Sequence, residues 1–237
     1  MRRTALAVAL LFAIPALAQT NPLRQAVAAG AKEIVWKIQT TGVSICCCNR
    51  NGWNTVNDRD YNVKFRDILL FARFDGTRLT RVRMAEPQCP TGDARVVEAT
   101  TEQSLEFLLE HLQDTDEVVS AIAMHDHPRV VPELIQLARH DPRTRMRKQA
   151  LFWLGQRAGE KAAGELRRAV DEDPEDEVKK QAVFAISQLP AERSVPILID
   201  LVEHHKRPAV RERAMFWLVE TGDPRALDLI EKILGVH

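Results

Sequence analysis

Charge of one sign is what this chain most plainly lacks. Across 237 residues, 33 lysines and arginines stand against 33 aspartates and glutamates, so the basic excess that a general affinity for nucleic acid requires is absent. Chemistry-bearing patterns are missing too. No serine, cysteine and histidine set has nucleophile-elbow context, no glycine-rich loop follows a strand pattern, and no paired carboxylates stand out from the surface charge. The acidic run Asp171 to Glu177 has neither the loop glycine nor the spacing of an EF-hand, and reads as a capped helix junction. Cysteine is scarce at four residues, none in the Cys-x2-Cys spacing of a zinc knuckle. A membrane-spanning run is also missing. The apolar stretch from Ala5 to Ala13 is too short to cross a bilayer comfortably.

That stretch has another reading. Arg2 and Arg3 precede it, and Ala16, Leu17, Ala18 form a small-x-small site before Gln19, which together make a secretory signal over residues 1–18. No cysteine follows the cleavage site, so lipid attachment is not indicated and no stable membrane anchor is expected after cleavage. Loss of Arg2 and Arg3 takes the 33 basic side chains to 31 against 33 acidic ones, still near neutrality. Residues 19–32 are small and alanine-rich, and are expected to form a flexible tail or a short helix.

What the sequence has in abundance is repetition. Displaced by 32 residues, Asp141 to Leu234 matches itself: Ala150, Ala182 and Ala214 align, as do Phe152, Phe184 and Phe216, then Leu154, Ile186 and Leu218. A base stands three places before each alanine, at Arg147, Lys179 and Arg211. A period of that length marks units that bury their apolar faces against one another. Each unit reads as two helices, A and B. Helix A is expected near 143–155, 175–188 and 208–220, with Gly155 and Gly159 punctuating the first. The phenylalanine column is expected as buried core stacking, so that Phe184→Ala would cost about 3 to 5 kcal/mol.

The recurring Asp, Pro, spacer, Val/Met, Arg/Lys, two residues, Ala, spacer, Leu/Ile resembles the HEAT-like repeats, in the short form also found in phycobilisome-lyase-type proteins. The resemblance covers roughly residues 102–237. It implies a mainly α fold, a right-handed α-solenoid of about four helical hairpins over 101–237, that binds another protein or a peptide. The matched positions are core and capping positions, so they carry over no catalytic group. Helix B would line the concave side. Its residues outside the core form two columns, Gln136, Arg168, Asp200 and Lys232 beside Arg139, Asp171 and Glu203. Their mixed signs fit a folded protein or peptide partner better than a polyanion.

Between residues 33 and 100 the periodicity turns extended. Ile34 to Ile38 alternates weakly, while Ile68 to Phe74 and Leu79 to Met84 flank Asp75 and Gly76, a hairpin signal; Arg95 to Ala99 is a further strand candidate. Thr100 and Gln103 form a capping-box start for the first helix. All four cysteines, Cys46, Cys47, Cys48 and Cys89, lie in this small β-rich module. In an oxidising compartment a disulfide from Cys89 to one of the triplet would contribute roughly 3 to 4 kcal/mol. Strand alternation puts Cys47 on the apolar side with Val43 and Ile45, and a bend after Cys48 would favour Cys48 instead. The stretch from Val82 to Pro90, with the cysteine triplet Cys46 to Cys48 ahead of it, is also similar to N-terminal modules of other exported bacterial HEAT-repeat proteins, a likeness that implies no activity. His125, Asp126 and His127 are expected as solvated turn residues, not metal ligands.

The expected function is therefore an exported, non-catalytic protein-binding scaffold without cofactor or metal. The alternative is a redox or metal-binding envelope protein acting through Cys46–Cys48 and Cys89.

Overall fold

The computed structural model describes residues 21–43, 65–157 and 160–235. The expected signal peptide and the cysteine triplet lie outside them. Asn21 opens the described chain as an N-cap, its side chain accepting from Leu23 N at the start of α1 (Pro22–Ala28). Leu23, Ala26 and Val27 are buried, Asn21 Nδ2 donates to the Gln103 carbonyl at 2.6 Å, and Arg24 pairs with Glu110. Of the flexible tail or short helix expected over 19–32, the described residues form the short helix, and it is docked. Few apolar side chains suffice because an amide and an ion pair hold it as well.

β1 (Glu33–Val43), β2 (Phe65–Asp75), β3 (Arg78–Ala85) and β4 (Arg95–Val96) form one sheet in the order β3-β2-β1-β4. The first three pair antiparallel and β4 joins β1 in parallel. The β2–β3 hairpin turns where Asp75 and Gly76 predict, with Gly76 at φ 60°. The alternation in β1 is weak because both faces are covered. Ile34, Trp36 and Ile38 face the helices, whereas Val35 joins Phe71, Ala85, Cys89 and Ala94 in a small cluster on the other side. Two amides of β3 are taken by carboxylates: Leu79 N donates to Asp114 Oδ2 at 3.0 Å and Val82 N to Glu117 Oε2 at 2.7 Å.

Sheet and helices share one apolar core, joined by a buried polar relay. α2 (Thr101–Glu110) starts at the expected capping box of Thr100 and Gln103 and carries Ser104 inward. Trp36 Nε1–H donates to Ser104 Oγ at 2.7 Å, and Ser104 Oγ lies 2.7 Å from His125 Nε2. His125 Nδ1 lies 2.8 Å from the Ala121 carbonyl, which can only accept. The proton therefore sits on Nδ1, Nε2 accepts from the serine hydroxyl, and every group is satisfied by a neutral imidazole. His125 is fully buried, so the solvated-turn expectation is corrected for this residue. Its backbone explains why: the turn continues the sheet edge, with Thr40 bridging His125 and Asp126 N donating to Gln39 O at 2.9 Å.

The remaining helices form two layers. The A helices are α3 (Glu117–Met124), α5 (Thr144–Arg157), α7 (Asp176–Ser187) and α9 (Pro208–Glu220). The B helices are α4 (Val130–His140), α6 (Glu160–Glu172), α8 (Ala191–His204) and α10 (Pro224–Leu234). The A helices α5, α7 and α9 fall close to the spans that the repeat predicts, and successive A helices pack side by side. The base column ties the layers together. Arg147 donates to the carbonyls of Asp141 (3.1 Å) and Pro142 (3.3 Å), Lys179 Nζ to those of Val170 (2.6 Å) and Asp171 (2.9 Å), and Arg211 to those of His205 (2.8 Å) and Lys206 (3.2 Å). Each base thus meets carbonyls at or just beyond the C-terminus of the preceding B helix, where the last turn lacks intrahelical donors and the dipole favours a cation. Arg147 also holds Asp173 through two hydrogen bonds of 2.8 and 3.1 Å, and Asp173 accepts from Glu175 N in the expected capped junction.

Gly155 does not end its helix as expected; it lies within α5, where α7 passes closest. A Cβ there would stand 2.7 Å from the Ala185 carbonyl oxygen and 3.1 Å from Ala185 Cα. Gly164 in α6 has nothing within 4 Å of the same position. Alanine normally gains about 1 kcal/mol over glycine inside a helix. Gly164→Ala should therefore raise the denaturation midpoint, and Gly155→Ala should lower it, by about 1 to 3 kcal/mol of stability through overpacking. Urea titration of both variants checks the opposite signs.

Burial also pulls the His125 pKa from 6.5 to about 4, with Arg157 adding to the effect. The unfolded chain then binds the proton more readily between those values. The contribution is complete above pH 6.5 and fades as pH falls toward 4, by about 3 kcal/mol in all. Stability measured from pH 6.5 down to 5 should decline, with a shallower slope in His125→Gln.

Candidate interaction surfaces

In the A layer, Met146, Ala150, Leu151 and Leu154 of α5 point inward, as do Val178, Ala182, Val183 and Ile186 of α7. Two residues beyond Ala150 is about 200° around the helix, so Phe152 must turn away from that face. The structure agrees. Phe152 and Phe184 are half-buried and Phe216 is 50% exposed, which corrects the expectation of a buried phenylalanine column. Recurrence at 32 residues guarantees the same environment in every unit, and here the environment is the surface.

These rings form a ladder. Phe152 and Phe184 are parallel to within 8° with centroids 6.3 Å apart; Phe184 meets Trp217 at 4.9 Å, and Trp217 meets Phe216 at 4.9 Å. The Arg213 guanidinium lies over Trp217 and Phe216 at 5.1 and 5.6 Å, in cation–π range. Between α5 and α7 lies an open groove of about 710 Å³, whose walls include both phenyl rings with Arg145, Lys148 and Glu177. Gln149 and Gln181 add amide groups able to donate and accept.

The B layer carries the row that the sequence singles out. Gln136, Arg139, Asp171, Glu203 and Lys232 are exposed, and Arg168 and Asp200 half-buried. Their charges are largely paired with one another's helices. Arg139 holds Glu165 between α4 and α6, Arg167 holds Asp200 between α6 and α8, and Lys232 meets Glu203 at 2.7 Å between α10 and α8. Within α6, Arg167 reaches Asp171 at 3.0 Å and Arg168 reaches Glu165 at 3.1 Å and Glu172 at 3.0 Å. Arg139, Arg167 and Lys232 hold the carboxyls of Glu165, Asp200 and Glu203, respectively, below their ordinary range. Glu165, Arg167 and Glu172 escape a reading by columns, although the spacing of Arg167 and Arg168 four residues before Asp171 and Glu172 is a legible signal.

Stacked A helices, stacked B helices and a cation closing each junction describe a repeat array, and the model of HEAT repeats matches residues 117–187 and again 166–236. The chain belongs to the HEAT-repeat family. HEAT repeats are commonly protein-interaction scaffolds, and both layers of this HEAT-repeat chain offer side chains in register for such use. No curated protein matches it. Among its described residues, no helix is long and apolar enough to cross a membrane.

Of the cysteines, Cys89 is described. It is 5% exposed and packs with Val35, Phe71, Ala85 and Ala94 on the sheet face away from the helices. Cys46, Cys47 and Cys48 lie outside the described residues.

The half-exposed ladder changes one stability expectation. Phe184→Ala removes only part of a buried ring and should cost about 1 to 2 kcal/mol, whereas Phe107→Ala, fully inside the shared core, should cost about 3 to 5 kcal/mol. Guanidinium denaturation of the two variants measures the difference.

Proposed function

We propose that this HEAT-repeat protein is an exported, non-catalytic scaffold that holds a protein or peptide partner on the aromatic ladder of its A helices. The observation that carries this reading is the ladder itself: Phe152, Phe184, Trp217 and Phe216 recur along a surface with Arg213 stacked on it. Aromatic and arginine side chains are the residues that most often dominate binding energy at interfaces. The groove flanked by Arg145 and Lys148 suits an apolar segment with acidic neighbours. Near-neutral net charge favours such a partner over nucleic acid.

The proposal includes a cleaved signal over residues 1–18 that leaves no membrane anchor, release to the periplasm or beyond, and a disulfide from Cys89 to one of Cys46, Cys47 and Cys48. It reads α3 to α10 as four hairpins of the short, phycobilisome-lyase-type repeat, wound as a right-handed solenoid with the B helices on the concave side. No cofactor enters it. A second reading places the partner on that concave side, favoured by the row of Gln136, Arg139, Arg168, Asp171, Asp200, Glu203 and Lys232 across successive B helices. Exposed ion pairs are each worth at most about 1 kcal/mol, so a partner could exchange them at little cost.

Cross-linked pull-down from the native envelope identifies the partner, and titration of that purified partner separates the readings. Phe152→Ser with Phe184→Ser should weaken binding by about thirtyfold or more per lost anchor. Charge reversal at Arg139 and Lys232 should alter mainly its salt dependence. If the ladder variant binds normally and the reversal abolishes binding, the partner sits on the B helices.

A further inference from the structure

We infer that Arg213 makes the aromatic ladder selective for a carboxylate, so that the segment it takes carries an aspartate or glutamate beside the apolar side chain that rests on the rings. This rests on the reading of the ladder as the binding surface and names what that surface selects. One column of the 32-residue period runs through Gln149, Gln181 and Arg213, each three places before the phenylalanine of its unit and on the same side of its helix. Gln149 and Gln181 line the groove. Two units therefore set a neutral amide beside the ring, and the third sets a guanidinium there.

That guanidinium is held but not spent. It lies over Trp217 at 5.1 Å and over Phe216 at 5.6 Å, and among the described residues no ion pair holds it. Arg145 and Lys180 differ, since Asp116 and Glu177 take them. Arg213 Nε and Trp217 Nε1 are both shielded from solvent without a hydrogen-bond partner among the described residues. Two donors lacking an acceptor, one of them charged, call for an acceptor-only group. A carboxylate meets Nε and a terminal nitrogen of the same fork with its two oxygens, while the planar group keeps its contact with the rings. Arg213 is partly exposed, so a ligand reaches the fork without disturbing α9.

The surrounding charge agrees. Glu177 is the acid in the groove's lining, and its carboxyl is drawn below its ordinary range by a hydrogen bond from Lys180 and by the charges of Lys148 and Arg213. Three bases about one acid leave positive charge at the groove for a partner to meet. The rings that would seat an apolar side chain, Phe184 and Trp217, are 4.9 Å apart, and Arg213 stands 5.1 Å from the second. Acid and apolar group must therefore be close neighbours in the partner. A peptide can place one acid there and neutral groups along the rest of the groove, whereas a nucleic acid would bring a phosphate to Glu177 as well.

The probes are a short blocked peptide with two leucine–glutamate pairs between glycines and serines, and a twin with glutamine for each glutamate. Fluorescence anisotropy with the purified full chain should show the acidic peptide binding at least about tenfold more tightly than its twin. Arg213→Gln, which gives the third unit the amide of the other two, should bring the acidic peptide down to the twin's affinity and leave the twin unchanged, with an unaltered circular dichroism spectrum. Arg213→Lys keeps the charge without the fork, should recover only part of the preference, and serves should the glutamine variant fail to fold. Phe152→Ser with Phe184→Ser should weaken both peptides alike. Equal affinities for the two peptides, or an acidic preference that survives in folded Arg213→Gln, overturns the carboxylate selection and leaves the ladder reading standing. Binding that ignores the two phenylalanines overturns the ladder reading and this inference with it. A wild type that takes neither peptide, or that binds an oligodeoxythymidylate of the same length more tightly than the acidic peptide, overturns the inference too.

Discussion

A helix pair of this size has too little apolar surface to hold itself together, and each B helix ends with carbonyls that its own backbone cannot satisfy. Arg147, Lys179 and Arg211 answer both constraints at once. Planted on A helices beside the apolar face, they reach the end of the preceding B helix, so docking one unit on another is also what completes its hydrogen bonds. Burial draws the Lys179 ammonium below its ordinary pKa, yet two carbonyls still receive it. The rest of the array follows from that coupling. With the junctions fixed, Gly155 can be brought against Ala185, and the ring column is carried outward on every A helix.

The sheet is bound into the same arrangement. Its inner face continues the helical core, and the Trp36, Ser104 and His125 relay crosses from β1 to α2 to the end of α3 with each proton direction determined. Arg157 of α5 closes on the same place, donating to the carbonyls of Ala123 and His125. The first A helix is thus held by the sheet on one side and by the array on the other, and the described residues of the sheet's inner face belong to the helical core.

The repeat was legible in the sequence because a 32-residue period aligns alanines, bases and aliphatics together, and the helix spans followed from it. Burial of the phenylalanines was not legible from the period; it required the helical phase relative to Ala150, which places Phe152 on the far side. His125 misled for a related reason. It sits in a turn by sequence, but the turn pairs with the β1 edge across more than eighty residues, and no local pattern records a contact so distant. The docking of α1 was likewise concealed, since Asn21 and Arg24 find their partners on α2. The B-helix columns can be named from the sequence, but their inter-helix partners Glu165 and Arg167 emerge only when neighbouring helices are set side by side.

The carboxylates of Asp114 and Glu117 have a consequence beyond the packing of β3. An edge strand with free amides is a template on which any extended peptide can add itself, including another copy of the same strand. Here two of those amides are already committed to side chains of the helical layer. A peptide seeking to lengthen the sheet would have to displace both acids from those amides. On the opposite side, β4 is only two residues long and pairs with Ile34 and Val35 of β1, and further along β1 Thr40 bridges to His125. Among the described strands, one edge is thus blunted against strand recruitment by two occupied amides and the other by the shortness of its last strand.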